Sequence, residues 1–277
     1  MSGLLGPAEI RDLAESLWLQ PTKKLGQNFV VDGNTVRKIV RAAAVAPGEH
    51  VVEVGPGLGS LTLGLLEAGC RVTAIEIDRR LAEQLPRTVE GIRPGAALEV
   101  IAADALHVTG VPGEPTALVA NLPYNVSVPV LLHLLEVVPS LASALVMVQA
   151  EVGHRLAAAP GSRVYGSPSV KAAWYGAWSI AGTVSRQVFW PVPNVDSVLV
   201  GFRRGELPGT DAERTATFAL VDAAFNQRRK MLRQALATPL GGASAASAIL
   251  EAAGIDPTAR GEQLAVGDYL RVARTAR

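Results

Sequence analysis

The chain has 277 residues, of which 49% are hydrophobic and 18% are charged, and its formal net charge is +1. This composition excludes an intrinsically disordered protein, and the length suits one large domain with a smaller one. The near-neutral charge argues against a protein that holds naked nucleic acid by charge alone. No apolar stretch reaches about 18 residues, and the first residues lack a signal-peptide pattern. We therefore expect a cytoplasmic protein that does not cross a membrane and, since no apolar surface helix stands out, a monomer.

Apolar runs alternate with helical patterns through the first part of the chain. A helix is predicted at residues 7–17, and Asp32 is predicted to cap another that ends near residue 44. Strands are then predicted near residues 50–54, 71–77, 98–102, 117–120 and 144–149, alternating with helices near 60–68, 79–85, 127–136 and 150–158. This alternation predicts an α/β fold with a parallel sheet covered on both faces.

The pattern changes after the last of these elements. Residues 179–203 contain two β-rich runs, which predict an antiparallel pair that closes the sheet edge. Beyond a polar linker at residues 204–210, strand patterns vanish and Ala-rich helical patterns dominate. We therefore predict two domains, an α/β domain at residues 1–203 and a small all-helical domain at residues 204–277.

A glycine-rich turn follows the first predicted parallel strand. Gly55, Gly57 and Gly59 stand at alternate positions, where they allow the backbone to approach a ligand closely. The spacing does not meet the dinucleotide pattern, because position 60 is Ser. Pro56 also removes an N–H that a pyrophosphate would use. The turn therefore favours a cofactor without phosphates.

Acidic residues follow the next two predicted strands. Glu76 lies about 20 residues after Gly55, where a carboxylate takes both hydroxyls of a ribose. Asp104 follows the strand at residues 98–102 and is placed to accept a hydrogen bond from an adenine amino group. With the glycine turn, these residues indicate an S-adenosylmethionine site. For the glycine turn and Glu76 alone, NAD is the alternative.

Asn121, Leu122, Pro123 and Tyr124 directly follow the strand predicted at residues 117–120. The Asn121 side-chain oxygen and the Leu122 carbonyl can each accept one N–H of an amino group conjugated to a ring. Pro123 stiffens the turn, and Tyr124 offers a face on which a base can stack. The segment predicts a pocket for an extruded adenine whose amino group attacks a methyl donor. An ordinary Asn-X-Pro turn is the alternative for these four residues alone.

These motifs and four further segments follow the order of a known family. The further segments are residues 23–30, 189–197, 226–230 and 254–264. From about residue 23 to about residue 273, the chain resembles the KsgA-type small-subunit (16S) ribosomal RNA adenine-N6,N6 dimethyltransferases. The resemblance implies a Rossmann-like S-adenosylmethionine-dependent methyltransferase domain. It also implies dimethylation of two adjacent adenosines near the 3′ end of 16S rRNA within the small (30S) subunit, and a role in subunit biogenesis.

The resemblance also implies roles for individual residues. The catalytic segment is Asn121 to Tyr124, with Phe189 covering the other face of the base. The implied cofactor contacts are Gln27, Asn28, Val30, Gly55, Gly57, Glu76, Ile77, Asp104, Ala105 and Asn121. Val30 stands where the family often has Leu, and its contact is expected through the backbone.

A basic cluster lies in the predicted helical domain. Arg228, Arg229, Lys230 and Arg233 fall within six residues, and no acidic residue lies between Asp222 and Glu251. A helix start with these cations and no countercharge can hold RNA phosphates. A solvated helix face is the alternative. The four histidines have no pair at ligand spacing, so no metal site is predicted.

Two other functions are compatible with the motifs. Large-subunit rRNA adenine methyltransferases that confer antibiotic resistance share the glycine and Asn-x-Pro-aromatic motifs but have different C-terminal domains. The helical segments at residues 226–230 and 254–264 therefore favour the small-subunit enzyme. The other alternative is a ribosome-assembly factor whose binding matters more than its chemistry, against which the presence of Glu76, Asp104 and Asn121 argues.

Overall fold

The computed structural model describes residues 3–19 and 28–276. Within these ranges, one compact unit comprises the described residues of Met1–Gly153 and Ser179–Arg203, and a second comprises those of His154–Trp178 and Arg204–Arg277. The boundary after Arg203 coincides with the predicted division, whereas residues 154–178 fall in the second unit. Gln27 and most of the segment at residues 23–30 lie outside the described residues.

The strands confirm the α/β prediction. They are β1 (Phe29–Val30), β2 (His50–Val54), β3 (Arg71–Glu76), β4 (Leu98–Ala102), β5 (Ala117–Asn121), β6 (Ser143–Gln149), β7 (Gly176–Val184), β8 (Phe189–Trp190) and β9 (Ser197–Arg204). Seven of them form one sheet in the order β4-β3-β2-β5-β6-β9-β7. The five from β4 to β6 are parallel, and β9 runs antiparallel to β6. All five residues of β2 are buried, as expected for a central parallel strand.

The helices up to residue 156 follow the predicted alternation. They are α1 (Pro7–Ser16), α2 (Gly33–Ala43), α3 (Ser60–Glu67), α4 (Arg79–Ile92), α5 (Ser127–Val137) and α6 (Ala150–Leu156). Asp32 caps α2 as predicted, because its side chain accepts a hydrogen bond from the Thr35 N–H at 2.8 Å. The predicted end of α4 near residue 85 is wrong. The helix continues through Pro86, because Leu81, Leu85 and Val89 keep one of its faces buried at four-residue intervals.

The second unit is helical, as predicted for its C-terminal part. Its helices are α7 (Ser167–Ala173), α8 (Asp211–Asn226), α9 (Leu232–Ala235), α10 (Ala243–Ala252) and α11 (Val266–Thr275). Thr210 begins α8 with a capping box, in which its hydroxyl accepts from the Glu213 N–H and its own N–H donates to Glu213 Oε2. Apolar side chains of these helices form a core that includes Leu220, Leu250 and Tyr269. Within the described ranges, no helix combines the length and the apolarity that a membrane span needs.

Candidate active site

A cavity opens at the carboxyl ends of the parallel strands β2 to β5. Its volume is about 120 Å³. The first unit contributes the glycine turn after β2, the end of β3, the turn after β4 and the end of β5 to its wall. Open α/β sheets bind their ligands at this edge. Nine predicted cofactor residues line the cavity, namely Asn28, Val30, Gly55, Gly57, Glu76, Ile77, Asp104, Ala105 and Asn121.

The glycine turn adopts a backbone that requires glycine. Gly57 has a φ of 59°, in the left-handed region, and its N–H donates to Glu76 Oε2 at 3.1 Å. A Cβ at Gly57 would lie 2.8 Å from Cε1 of Phe29. The missing side chain therefore makes room for the Phe29 ring on one wall of the cavity.

Glu76 is almost completely buried, with 4% of its surface exposed. Its Oε2 accepts from the Gly57 N–H, and its Oε1 accepts from the Asp78 N–H at 2.9 Å. Burial raises the pKa of Glu76, and the two backbone hydrogen bonds act in the opposite direction. Each carboxylate oxygen has a second lone pair, so Glu76 can also accept from two hydroxyls of a ligand.

Two polar residues of the cavity wall were not singled out as site residues from the sequence. Glu53 of β2 is 1% exposed, and its Oε2 accepts a hydrogen bond from the Thr62 hydroxyl at 2.7 Å. Burial raises the pKa of Glu53 to about 8, although the Thr62 hydrogen bond lowers it. The Ser60 hydroxyl is buried and has no hydrogen-bond partner among the described residues. A carboxyl group inside an apolar strand directly before a glycine turn is the sequence signal that could have identified Glu53.

Asp104 comes two residues after the end of β4, which lies on the opposite side of β2 from β5 in the sheet. Its Oδ1 accepts from the Leu106 N–H at 2.9 Å, and its Oδ2 lies 3.2 Å from His107 Nδ1. These contacts hold the carboxylate at the cavity wall, where a lone pair on either oxygen can take an amino N–H.

The Asn121 amide has a defined orientation. Its Nδ2 donates to the carbonyl oxygen of Asn28 at 3.0 Å. That bond leaves Oδ1 as the part of the amide that can accept a hydrogen bond from a ligand. Next to it, the Leu122 N–H donates to the Met147 carbonyl at 3.1 Å, which ties the start of the motif to β6. The Asn121 side chain and the Leu122 backbone, which carry the two predicted acceptors, are thus each held by a hydrogen bond.

Tyr124 is half-buried beyond these acceptors. Its hydroxyl and that of Ser197 share a hydrogen bond of 2.8 Å, and Ser197 is completely buried at the start of β9. Burial raises the pKa of Tyr124, so its phenol stays neutral. The described residues that line the cavity do not include Leu122, Tyr124 or Phe189. The roles of these three residues therefore stay predictions.

Phe189 belongs to a second, two-stranded sheet in which β1 pairs antiparallel with β8. Val30 pairs with Phe189 and Phe29 with Trp190, and the rings of Phe29 and Trp190 stack at a centroid distance of 6.3 Å. The Phe189 ring is 2% exposed and packs into the core. Covering a base with this ring therefore requires it to leave its position in the core.

The structure corrects part of the prediction for the basic cluster. The predicted helix start is wrong, since α8 ends at Asn226 and Arg228, Arg229 and Lys230 lie in the turn before α9. The predicted lack of countercharge is wrong for Arg228. Its Nε lies 2.7 Å from Glu262 Oε2, and its guanidinium donates to the Arg163 carbonyl. Glu262 comes from a distant part of the sequence, and for this reason the local pattern missed it.

The cavity suits S-adenosylmethionine. Glu76 has acceptors for a ribose, Asp104 has one for an adenine amino group, and the buried Ser60 hydroxyl lacks a partner that a polar ligand can supply. The glycine turn leaves room for the ligand, and because residue 56 is a proline, it offers no backbone N–H at that position. The mixed sheet and this site define an α/β methyltransferase that depends on S-adenosylmethionine.

The comparisons with known proteins identify the family. The chain belongs to the ribosomal RNA adenine dimethylase family, whose model matches residues 19–277. A protein of Leifsonia xyli subsp. xyli named ribosomal RNA small subunit methyltransferase A is 70% identical over 98% of each chain. These findings confirm the resemblance inferred from the motifs.

Solved structures agree with this assignment. The crystal structure of the 23S rRNA methyltransferase ErmE is 27% identical, with a TM-score of 0.65, and covers 89% of this chain and 98% of its own. The crystal structure of a dimethyladenosine transferase from Plasmodium falciparum shares the fold. It has 24% identity and a TM-score of 0.73, and covers 87% of this chain and 94% of its own.

Proposed function

We propose that this protein dimethylates N6 of two adjacent adenosines near the 3′ end of small-subunit (16S) rRNA. Its substrate is the RNA within the small (30S) ribosomal subunit, and the protein acts as a cytoplasmic monomer with a role in subunit biogenesis. The observation that carries the proposal is the hydrogen bond from Asn121 Nδ2 to the Asn28 carbonyl, which leaves Oδ1 to accept at the edge of the cofactor cavity.

The protein's part of the reaction is to position the target nitrogen. The Asn121 Oδ1 and the Leu122 carbonyl accept the two N6 hydrogens, which turns the nitrogen lone pair out of conjugation with the ring. When bound, S-adenosylmethionine supplies an electrophilic methyl group on its sulfonium. Well-oriented reactants recover roughly 7–11 kcal/mol of a barrier, so positioning can account for most of the catalysis.

Aromatic residues hold the base in this position. Tyr124 stacks on one face, and Phe189, once out of the core, covers the other. Base–aromatic stacking contributes about 1–3 kcal/mol per base. The bond between the hydroxyls of Tyr124 and Ser197 keeps the Tyr124 ring in place. During the first transfer, N6 gains the methyl group and loses one proton to solvent, so a single N–H remains. For the second transfer, the site must therefore fit a methyl group against one of its two acceptors.

Sequence identity to known enzymes supports the small subunit as the proposed substrate. Several proteins named ribosomal RNA small subunit methyltransferase A are 58% to 70% identical over nearly the full length of both chains. The large-subunit enzyme ErmE shares the architecture at 27% identity. The higher identity to the small-subunit enzymes than to ErmE supports the small subunit as the substrate of this chain.

The proposal is tested by incubating the protein with labelled S-adenosylmethionine and with ribosomal subunits that lack adenine dimethylation. We expect labelled N6,N6-dimethyladenosine in RNA from the small subunit and none in RNA from the large subunit. Label in the large subunit would favour the resistance-type enzyme. Bound cofactor with no label in either subunit would favour an assembly factor.

Arg229 and Lys230, in the turn between α8 and α9, and the nearby Arg233 are all exposed. We propose that these three side chains contact RNA phosphates. Replacing Arg229 and Lys230 with alanine is expected to weaken binding to the small subunit, with an unchanged melting temperature. Each lost phosphate contact should reduce the slope of log affinity against log salt by about 1.

Arg228 provides the matched control for that prediction. Because it pairs with Glu262 and donates to the Arg163 carbonyl, Arg228→Ala is expected to lower the melting temperature. A salt slope that stays the same in the double variant would contradict the proposed contact.

A further inference from the structure

The wall of the cofactor cavity is acidic. Its ionisable side chains are Glu53, Glu76 and Asp104, and no Lys, Arg or His is among the described residues that line it. Next to the wall, Asp78 lies two residues after Glu76 and pairs with Arg80 at 2.9 Å, and the His107 ring lies 3.2 Å from Asp104. Such a wall favours a cationic ligand over a neutral one.

Glu53 is the most enclosed of the three carboxyl groups. It is 1% exposed and accepts one hydrogen bond, from Thr62 on α3, whereas Glu76 on β3 accepts two from the backbone. Burial raises the pKa of Glu53 to about 8, and the charge of Glu76 adds to the effect, so Glu53 holds a proton at neutral pH. The unpartnered Ser60 hydroxyl lines the same cavity, which marks this side as a place where a polar ligand binds.

We propose that Glu53 selects the methyl donor over its demethylated product by releasing a proton to solvent when the donor binds and regaining it when the product replaces the donor. This inference rests on the proposed function. S-Adenosylmethionine carries an ammonium, a sulfonium and a carboxylate and has a net charge of +1. S-Adenosylhomocysteine has lost the sulfonium charge and is neutral.

The sign of the pH dependence follows from the charges. A cation close to a carboxyl group favours its ionised form, so the donor stabilises the Glu53 carboxylate more than the product does. Below pH 8 the donor must displace a proton, and above it the carboxylate is already formed. The affinity for the donor relative to the product therefore rises with pH, by up to about 50-fold between pH 6 and pH 8.

Calorimetry of the whole protein tests this directly. Each ligand is titrated at pH 7 in two buffers with different enthalpies of ionisation, which gives the number of protons released. We expect S-adenosylmethionine to release close to one proton per site and S-adenosylhomocysteine to release much less. Equal release by the two ligands would overturn the inference and leave the proposed function intact. A lack of binding by both would contradict the proposed function as well.

Variants identify the group that titrates. Glu53→Gln keeps an oxygen that accepts from Thr62, and it should abolish the proton release and make the affinity ratio independent of pH. Thr62→Val removes the hydrogen bond that lowers the pKa, so it should shift the pH dependence to higher pH. If Glu53→Gln fails to fold, the shift of the pH dependence in Thr62→Val tests whether Glu53 is the group that titrates.

Asp104→Asn is the matched control, because the proposed partner of Asp104 is the adenine that both ligands carry. It should weaken the two ligands equally and keep the difference in proton release. A Glu53→Gln protein that still releases a proton on binding the donor would overturn the assignment to Glu53.

Discussion

Replacing Asn121 with alanine is expected to reduce the rate of adenine methylation by about 10³-fold or more, because the target nitrogen loses one of its two acceptors and its alignment. The contact from Nδ2 to the Asn28 carbonyl is lost as well. The measurement is single-turnover transfer of labelled methyl groups to the small subunit. Binding of the subunit should persist, since the proposed phosphate contacts lie in the second unit. Loss of both binding and transfer would contradict a positioning role for Asn121.

Two further variants show what the amide itself does. Asn121→Asp keeps a side-chain oxygen but cannot donate to the Asn28 carbonyl, so it should be nearly as inactive as the alanine variant. Asn125→Ala changes an exposed amide four residues further along and should retain most of the activity. If the aspartate variant were fully active, orientation of the amide by Asn28 would be unnecessary.

Replacing Gly57 with alanine is expected to weaken S-adenosylmethionine binding by about 10- to 100-fold. A non-glycine residue at this positive φ costs about 1–3 kcal/mol, and the turn is expected to relieve this strain by moving away from the backbone geometry that lines the cavity. The new Cβ would also lie 2.8 Å from the Phe29 ring, which then has to shift at the cavity wall. Calorimetric titration measures the change. S-Adenosylhomocysteine should be weakened to a similar extent, because the effect is steric and does not depend on ligand charge.

Gly91 offers the matched control. It lies in α4, and a Cβ there would have nothing within 4 Å. Gly91→Ala should leave cofactor binding unchanged and raise stability slightly, since alanine favours helix by up to about 1 kcal/mol. Equal affinities of the Gly57→Ala protein and the unchanged protein for the cofactor would refute the steric role of the glycine.

The parallel sheet and its site edge could be predicted from local patterns. Each buried strand is an apolar run, and the motifs at residues 55–59, 76, 104 and 121 all follow such runs. Since the carboxyl ends of parallel strands meet at one edge, short motifs far apart in sequence were expected to converge, and the cavity wall contains them.

The features that could not be predicted depend on contacts between distant residues. The pairing of β1 with β8 and the ion pair of Arg228 with Glu262 leave no periodic signal. The raised pKa of Glu53 depends on its burial, which the local sequence of β2 does not report. The continuation of α4 through Pro86 depends on the packing of its buried face.

The small sheet of β1 and β8 has a consequence for redesign of this enzyme. Phe29 touches the glycine turn at one end of the cavity and stacks on Trp190, next to Phe189 in the chain. Trimming Phe29 to admit a donor with a group bulkier than methyl would also remove the support of the strand that carries Phe189. A change that widens the range of alkyl donors would therefore also disturb the strand whose Phe189 is proposed to cover the base. An alkyltransferase engineered on this scaffold needs compensating changes at Trp190.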